Sequence, residues 1–229
     1  MSRLRVDGTT LQAQRRAAGP LGTLLEPKKG YRFGPENLTI GAILPPSARR
    51  VLDIGAGCGV LGLAARQALE PEETLLLEQN PDLCAFARAN ALGHDTVRVV
   101  EGDALKFREE RSDIDLVTTN PPFFAAGSGR ESDNKMVRDA THTHMGDLPR
   151  FLEVANRVLS PAGQVVVLYP AAALSEALVA LARVGLIPNA LALVFARHTS
   201  GPFRVWIRAD RVGAPIDAPV LLSPAGLSR

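Results

Sequence analysis

The chain has 229 residues, of which 46% are hydrophobic and 22% are charged, and its formal net charge is +2. This length suits one large domain or at most two small ones, and a domain of this size buries enough surface to fold without disulfides or metal. The composition excludes an intrinsically disordered chain, and no apolar run reaches the roughly eighteen residues that a membrane-spanning helix needs.

The first fifty residues are basic, with nine Lys or Arg residues against three Asp or Glu residues. The rest of the chain therefore has a net charge of −4. This asymmetry favours a polyanionic partner, although a solvated basic arm without a partner would have the same composition. The N-terminus lacks the apolar core of a signal peptide, so a soluble, cytoplasmic protein is expected.

From residue 50 onward, short apolar runs alternate with helical patterns. Seven runs are predicted as strands: 50–54, 75–78, 96–100, 114–119, 164–169, 190–195 and 203–209. Four segments are predicted as helices: 59–69, 81–92, 148–159 and 172–184. Strands that alternate with helices of this length form βαβ units, so the sequence predicts an α/β fold.

The predicted architecture is one doubly wound domain with a mostly parallel seven-stranded sheet and helices on both faces. The loop between the last two predicted strands is too short for a helical crossover, so these strands should pair antiparallel. Residues 1–45 are predicted to form a basic N-terminal extension with a leading helix at 38–43, and residues 46–229 the main domain. A long polar loop covers about 120–146.

A glycine-rich turn lies between the first predicted strand and the first predicted helix. Gly55, Gly57 and Gly59 stand at alternate positions, where glycine allows a tight turn and close approach of a ligand to the backbone. The spacing is not that of the dinucleotide fingerprint, because position 60 is Val. No Lys-Ser/Thr pair follows, so a Walker loop is excluded.

Acidic residues follow the next two strands. Glu78 ends the second strand, where a carboxylate can accept hydrogen bonds from ribose hydroxyls, and Asp103 follows the third. Asp53, just before the glycines, could orient the loop or meet a cationic group of a ligand. Each acid alone would suit a surface or capping role, but their positions around one glycine turn favour a nucleoside cofactor.

This segment resembles the S-adenosylmethionine site of class I methyltransferases, which have a Rossmann-like fold. The resemblance implies that Gly55, Gly57 and Gly59 pack against the methionine part of the cofactor. It also implies that Glu78 binds the ribose and that Asp103 contacts the adenine.

A second motif, Asn120-Pro121-Pro122-Phe123, follows the fourth predicted strand. Its prolines remove two backbone donors and fix the chain in an extended turn. The Asn120 amide and the carbonyl of Pro121 can then converge as acceptors on one planar NH2 group, and Phe123 offers a face for stacking. A purely structural turn is the alternative for such a motif in isolation.

These residues suit methylation of a planar nitrogen with a delocalised lone pair. Two fixed acceptors would localise the lone pair towards the methyl donor, and no metal or covalent nucleophile is required. The motif is similar to that of enzymes that methylate exocyclic adenine or cytosine nitrogen or a glutamine amide. Release-factor glutamine methyltransferases carry a helical domain before the glycine loop, and DNA adenine methyltransferases a target-recognition domain; this chain has neither, which favours RNA.

The chain further resembles the bacterial tRNA (adenine-N6)-methyltransferase family, which modifies the adenine beside the anticodon of a valine tRNA. The similarity includes residues 27–33, the stretch 38–43 and the Asn-Pro-Pro-Phe motif. It implies cofactor contacts by Asn120, Arg32 and Phe33, with Glu36 in place of an Asp near the cofactor or as a helix-capping acid. The resemblance and the basic residues together predict RNA contacts by Arg15, Arg16, Lys28, Lys29 and Arg138.

Two cysteines, two histidines and one face of the last strand carry further expectations. Cys58 and Cys84 are expected to be reduced thiols, because they lie far apart and have no metal-type spacing. His142 and His144, in a loop that also carries Arg130 and Lys135, lack the further ligands that a zinc site needs, so no metal is expected. Arg204, Trp206 and Arg208 alternate along the last strand, on a face that would either contact phosphate or be solvated.

Overall fold

The computed structural model describes residues 2–6, 9–108, 112–121, 147–196, 201–216 and 219–223. The strands in these ranges are β1 (Ser2–Val6), β2 (Thr9–Ala17), β3 (Thr23–Pro27), β4 (Arg50–Ile54), β5 (Glu73–Glu78), β6 (Val97–Glu101), β7 (Ile114–Thr119), β8 (Leu159–Pro170), β9 (Ile187–Val194), β10 (Arg204–Asp210) and β11 (Val220–Leu222). The α-helices are α1 (Val60–Leu69), α2 (Pro81–Asn90), α3 (Asp147–Val158) and α4 (Leu174–Arg183). A 3-10 helix spans Pro35–Ala42.

The main sheet has the strand order β11-β9-β10-β8-β7-β4-β5-β6. Strands β8, β7, β4, β5 and β6 run parallel, whereas β10 pairs antiparallel with both β8 and β9. The predicted α/β class and the antiparallel pairing of the last two predicted strands are therefore confirmed. The sheet has eight described strands rather than seven, because β11 adds to β9 in parallel; this three-residue strand is too short to show a hydrophobic period.

Helices cover both faces of the main sheet. Successive residues of a strand point to opposite faces, so one strand contributes to the core on each side. On β10, Val205 and Ile207 pack into the core beneath α3 and α4, whereas Trp206 packs into the core on the α1 side. All three are fully buried. Within the described ranges, no helix is long and apolar enough to cross a membrane.

The N-terminal segment differs from its prediction. Instead of an arm, β1, β2 and β3 form a three-stranded antiparallel sheet. This sheet is fixed to α2 by Asn90, whose Oδ1 accepts from Leu25 N at 2.7 Å and whose Nδ2 donates to Leu25 O at 2.8 Å. The leading helix is the 3-10 helix Pro35–Ala42. The division of the chain at residue 45 stays a prediction.

The expectation for the face of β10 that carries Trp206 and Arg208 is also wrong. Trp206 donates from Nε1 to Thr39 Oγ1 at 2.9 Å, and Arg208 donates to the carbonyls of Ile43 and Leu44. The segment around the 3-10 helix covers this face, so these two side chains form neither a solvated surface nor a phosphate-binding one. Local alternation predicts which residues share a face but not what packs on it.

Candidate active site

Four strand ends lie at one level of the sheet edge. The register pairs Ile54 with Leu77 and with Thr119, and it pairs Glu78 with Glu101. The glycine turn, Glu78, the segment leading to Asp103 and Asn120 therefore lie side by side at the carboxyl edge of β6, β5, β4 and β7. Adjacent strands are about 4.8 Å apart, so this row is roughly 14 Å long.

The glycine turn connects β4 to α1 in a conformation that favours glycine. Gly55, Gly57 and Gly59 have φ values of 70°, 58° and 88°, all in the left-handed region. The amides of Gly55 and Ala56 both donate to Leu77 O, at 2.9 and 3.0 Å. A Cβ placed on Gly57 would be 2.8 Å from a ring carbon of Tyr31, so this side chain packs directly against the turn.

Asp53 lies beneath the turn and is 1% exposed. Its Oδ2 accepts from Gly62 N in α1 at 2.9 Å, and its Oδ1 accepts from Thr118 Oγ1 at 3.0 Å. Burial raises the pKa of Asp53 to about 7, partly opposed by these two hydrogen bonds. Since both oxygens have partners from neighbouring elements, the observed contacts orient the glycine turn between β4, β7 and α1.

Glu78 ends β5 and is 7% exposed. Its Oε2 accepts from Gly57 N and its Oε1 from Asn80 N, both at 2.8 Å. Burial raises the pKa of Glu78, and the hydrogen bonds from Asn80 and Gly57 oppose that rise. A backbone hydrogen bond from Gln79 is a third contact to this carboxylate, which has about four acceptor sites, so Glu78 can hold the turn and still accept from a ligand hydroxyl.

Asp103 follows β6 and is more accessible, with a side-chain exposure of 37%. Its Oδ1 accepts from Leu105 N at 2.9 Å and caps a short 3-10 helix. Its Oδ2 lies 3.9 Å from Lys106 Nζ. One carboxylate edge is therefore available to a donor at the far end of the row from Asn120.

Asn120 follows β7, whose end is tied to β4 by a hydrogen bond from Thr119 Oγ1 to Ile54 O at 2.9 Å. The Asn120 Nδ2 donates to Asn37 Oδ1 at 2.9 Å. Its Oδ1 is buried and has no hydrogen-bond partner among the described residues. A buried acceptor without a partner costs about 1–3 kcal/mol, so this oxygen marks a position where a ligand donor would bind favourably.

Pro121 is buried next to Asn120. Pro122 and Phe123 lie outside the described residues, as do Arg130, Lys135, Arg138, His142 and His144. The roles predicted for them stay predictions. Within the described part of the chain, no cluster of His, Cys, Asp or Glu side chains could hold a metal ion.

Arg32 and Phe33, expected to contact the cofactor, have different surroundings. Arg32 is exposed, whereas Phe33 is 1% exposed and belongs to the core. The guanidinium of Arg16 lies 4.9 Å from the centre of the Phe33 ring and 3.5 Å from the buried carboxylate of Glu26. Phe33 and Arg16 thus pack the N-terminal sheet onto the main domain. The cofactor contacts of Arg32 and Phe33 stay predictions.

The other predicted RNA-binding residues of the N-terminal segment have free access to solvent. Arg15 on β2 and Lys28 and Lys29 after β3 are all exposed. Glu36 lies in the first turn of the 3-10 helix, whose N-terminus has no side-chain capping hydrogen bond, so both alternatives for Glu36 stay predictions.

The two cysteines are free and buried. Burial raises the pKa of each thiol to about 12, and the Cys84 Sγ donates to Glu78 O at 3.2 Å. They act as packed apolar side chains near the glycine turn rather than as nucleophiles.

Sequence reasoning missed three residues of the site region. Tyr31 packs on Gly57, Asn37 pairs with Asn120, and Asn90 donates to Cys58 O at 2.9 Å as well as holding β3. Their partners are between 26 and 83 positions away along the chain. No local spacing signals such contacts, because they arise from the docking of the N-terminal segment.

Comparison with known proteins places the chain among methyltransferases. The model of the methyltransferase small domain family matches residues 37–182. The tRNA1(Val) (adenine(37)-N6)-methyltransferase of Aeromonas hydrophila subsp. hydrophila is 30% identical over 186 residues, which cover 79% of this chain and 77% of that protein. The protein of the same name from Phocaeicola vulgatus is 27% identical, over 81% of this chain and 79% of that protein.

Solved structures share the fold at low sequence identity. A predicted O-methyltransferase from Agrobacterium tumefaciens has a TM-score of 0.58 at 20% identity and covers 81% of this chain and 86% of that one. A putative RNA methyltransferase from Pyrococcus horikoshii has a TM-score of 0.56 at 20% identity, over 77% of this chain and 82% of that one. These similarities support the Rossmann-like class I architecture.

The observed geometry fits S-adenosylmethionine. Gly55 of the left-handed glycine turn is exposed, the carboxylate of Glu78 lies beside the turn, and Asp103 stands at the far end of a row roughly 14 Å long. The family match confirms the predicted activity class, an S-adenosylmethionine-dependent methyltransferase. The chain belongs to the methyltransferase small domain family.

Proposed function

We propose that this methyltransferase modifies the exocyclic N6 of an adenine in tRNA. The observation that carries the proposal is the buried Oδ1 of Asn120, which has no partner within the described ranges and lies at the end of β7, level with the glycine turn. An amino group is one donor that suits such an acceptor. The relatives named tRNA1(Val) (adenine(37)-N6)-methyltransferase support adenine in tRNA as the source of that group.

On the cofactor side, each strand end has a distinct role. The backbone of Gly55, Gly57 and Gly59 lines the methionine part, Glu78 accepts from the ribose hydroxyls, and Asp103 accepts from the adenine amino group. Asp53 does not contact the cofactor directly; its oxygens accept from α1 and β7 and so hold the glycine turn in place. When bound, the cofactor would supply the methyl group of its sulfonium centre. The N6–methyl bond forms as the sulfur–methyl bond breaks, the sulfur keeps that electron pair as a neutral thioether, and N6 then loses one proton to solvent.

On the substrate side, Asn120 Oδ1 and the carbonyl of Pro121 accept the two N6 hydrogens. The lone pair of an adenine amino group is delocalised into the ring, which makes the nitrogen a weak nucleophile. Two fixed acceptors favour the geometry in which that lone pair points at the methyl donor, and their dipoles stabilise the positive charge that develops on nitrogen. Phe123 stacks on the target base, which is swung out of its stack to reach the site.

The exposed Arg15, Lys28 and Lys29 contact tRNA phosphates, and Arg138 adds a contact from the loop after the motif. Backbone contacts of this kind supply affinity and orientation rather than base identity. Arg16 contributes less than the others, because its guanidinium is already engaged with Glu26 and Phe33.

The direct test is methylation of unmodified bulk tRNA, with nucleosides identified by mass spectrometry. The wild-type chain should produce N6-methyladenosine, and Asn120→Ala should lower kcat by about 100-fold or more, as expected for loss of a fixed group that acts on developing charge. The control is Asn156→Ala, which removes a half-buried amide on α3 that donates to Val184 O and accepts from Arg211, away from the row of strand ends. This control should retain wild-type kcat.

Two outcomes would overturn the proposal. Methyl transfer to a release-factor glutamine without transfer to tRNA would identify a protein substrate for the same acceptors. Wild-type kcat in Asn120→Ala would remove Asn120 from the chemistry.

A further inference from the structure

The orientation of the Asn120 amide is set by a second asparagine in the N-terminal segment. Asn37 is 1% exposed and lies in the 3-10 helix Pro35–Ala42. It is 83 positions from Asn120 in sequence, accepts from the Asn120 side chain, and donates from its own side-chain nitrogen to Gly34 O. We infer that Asn37 is a positioning residue for methyl transfer, which fixes the Asn120 amide with its oxygen towards the substrate amino group.

The polarity of this pair starts at a backbone carbonyl. Asn37 Nδ2 donates to Gly34 O at 2.9 Å, and Asn37 N donates to the same carbonyl at 3.1 Å. A carbonyl can only accept, so the nitrogen of the Asn37 side chain must face Gly34 and its oxygen must face the other way. That oxygen meets Asn120, whose donor atom Nδ2 must therefore point at Asn37.

The consequence for Asn120 follows from the shape of an amide. Its nitrogen and oxygen lie on opposite sides of the side-chain axis, so fixing Nδ2 towards Asn37 turns Oδ1 away from it. That Oδ1 is buried and has no hydrogen-bond partner in the part of the chain that the structure describes. With the amide reversed, two donors would face the substrate amino group, which itself brings only hydrogens to that position. Gly34, through Asn37, selects the reactive orientation.

The 3-10 helix that carries Asn37 is itself held to the main sheet. Trp206 Nε1 on β10 donates to Thr39 Oγ1 at 2.9 Å, and that hydroxyl donates to Glu36 O at 2.7 Å. Asn37 lies between these two anchored residues. The core of the sheet thus determines where the Asn37 amide meets Asn120.

The test is a double-mutant cycle measured as kcat on tRNA, and it rests on the proposed function. Asn37→Ala should lower kcat by about fivefold to a hundredfold, because Asn120 Nδ2 loses its acceptor and the amide is free to turn. Affinity for S-adenosylmethionine, measured by calorimetry, should stay within about twofold. In the Asn120→Ala background, Asn37→Ala should have no further effect on kcat.

A second background separates orientation from mere support of the fold. In Asn120→Asp, both side-chain oxygens are acceptors, so the side chain needs no selected orientation and its contact with Asn37 Oδ1 becomes repulsive. Asn37→Ala should then leave kcat unchanged or raise it. Asn156→Ala, which also deletes a side-chain amide with two hydrogen-bond partners, should lower the unfolding temperature without the loss of kcat.

The failures are distinguishable. If the wild type does not methylate tRNA, or Asn120→Ala is fully active, the proposed function fails. If Asn120→Ala is impaired but Asn37→Ala retains wild-type kcat, only the positioning role fails. An equal loss of kcat from Asn37→Ala in the wild-type and Asn120→Asp backgrounds would show that Asn37 only supports the fold, and would also overturn the inference.

Discussion

The glycine turn allows the sharpest test of how the site is built. Gly57 has a φ of 58°, and a Cβ there would be 2.8 Å from a ring carbon of Tyr31. Carbon atoms in contact are normally about 3.5–4.0 Å apart. Gly57→Ala should therefore lower the free energy of unfolding by two contributions, about 1–2 kcal/mol for a left-handed backbone and about 1–3 kcal/mol for the clash.

Gly93 is a matched control for the backbone contribution alone. Its φ is 82°, and nothing lies within 4 Å of its added Cβ. Gly93→Ala should cost only about 1–2 kcal/mol. Urea denaturation of both variants measures the difference, and calorimetry should show cofactor affinity at least about tenfold weaker in Gly57→Ala but unchanged in Gly93→Ala. If the two variants agreed in both measurements, the steric account of the turn would be refuted.

Tyr31→Ala provides an internal check on the source of the clash. In that background the ring carbon is absent, so Gly57→Ala should cost no more than Gly93→Ala does. A cost that stays at its original value would mean that another neighbour, rather than Tyr31, excludes a side chain at Gly57.

Three further predictions concern charge. Burial raises the pKa of Asp53 from its ordinary value of 3.8 to about 7, so its ionisation opposes folding increasingly as the pH rises between these values. Urea denaturation at several pH values should show that the wild type loses stability relative to Asp53→Asn across this window, by up to about 1.4 kcal/mol per pH unit. Parallel stability profiles of the two proteins would contradict this prediction. Glu78→Gln should lower the free energy of unfolding by about 1–3 kcal/mol and weaken cofactor binding, since its side-chain nitrogen would face the backbone amide of Gly57 or Asn80. If calorimetry showed wild-type affinity for the cofactor in this variant, Glu78 would have no role in cofactor binding. The exposed Arg15, Lys28 and Lys29 can be replaced by Gln. The slope of log affinity for tRNA against log salt concentration should then fall in magnitude by about one unit per lost phosphate contact, and an unchanged slope would show that these residues do not contact tRNA.

The order of elements from β4 to β10 could be predicted from sequence because each element shows its own period. The run 50–54 is a short buried strand, and the glycines after it mark the turn into α1. Asn80 accepts from the amides of Asp82 and Leu83 and so begins α2, just before a proline that suits a first turn. These signals are local and agree with the tertiary fold.

The N-terminal sheet could not be predicted in the same way. The charge of its basic residues is the most evident property of this segment and does not indicate strands. In addition, β3 is held in place by hydrogen bonds between Leu25 and Asn90, a residue 65 positions away. The places of Glu78 and Asp103 at the carboxyl edge of the sheet could be predicted from the sequence because they stand at or just after strand ends, whereas their contacts with the cofactor stay predictions. The pairing of Asn37 with Asn120 could not be predicted, because it depends on how a 3-10 helix docks on β10.

The buried thiols have a practical consequence. Burial raises the pKa of both Cys58 and Cys84 to about 12, so on the order of one thiol in a hundred thousand is ionised at pH 7. Maleimide chemistry requires the thiolate and access to it. Because the chain contains two cysteines in all, an engineered surface cysteine becomes the single fast-reacting position. Fluorophores or cross-linkers can thus be attached at chosen sites on the N-terminal sheet to map where tRNA lies, with both native cysteines retained.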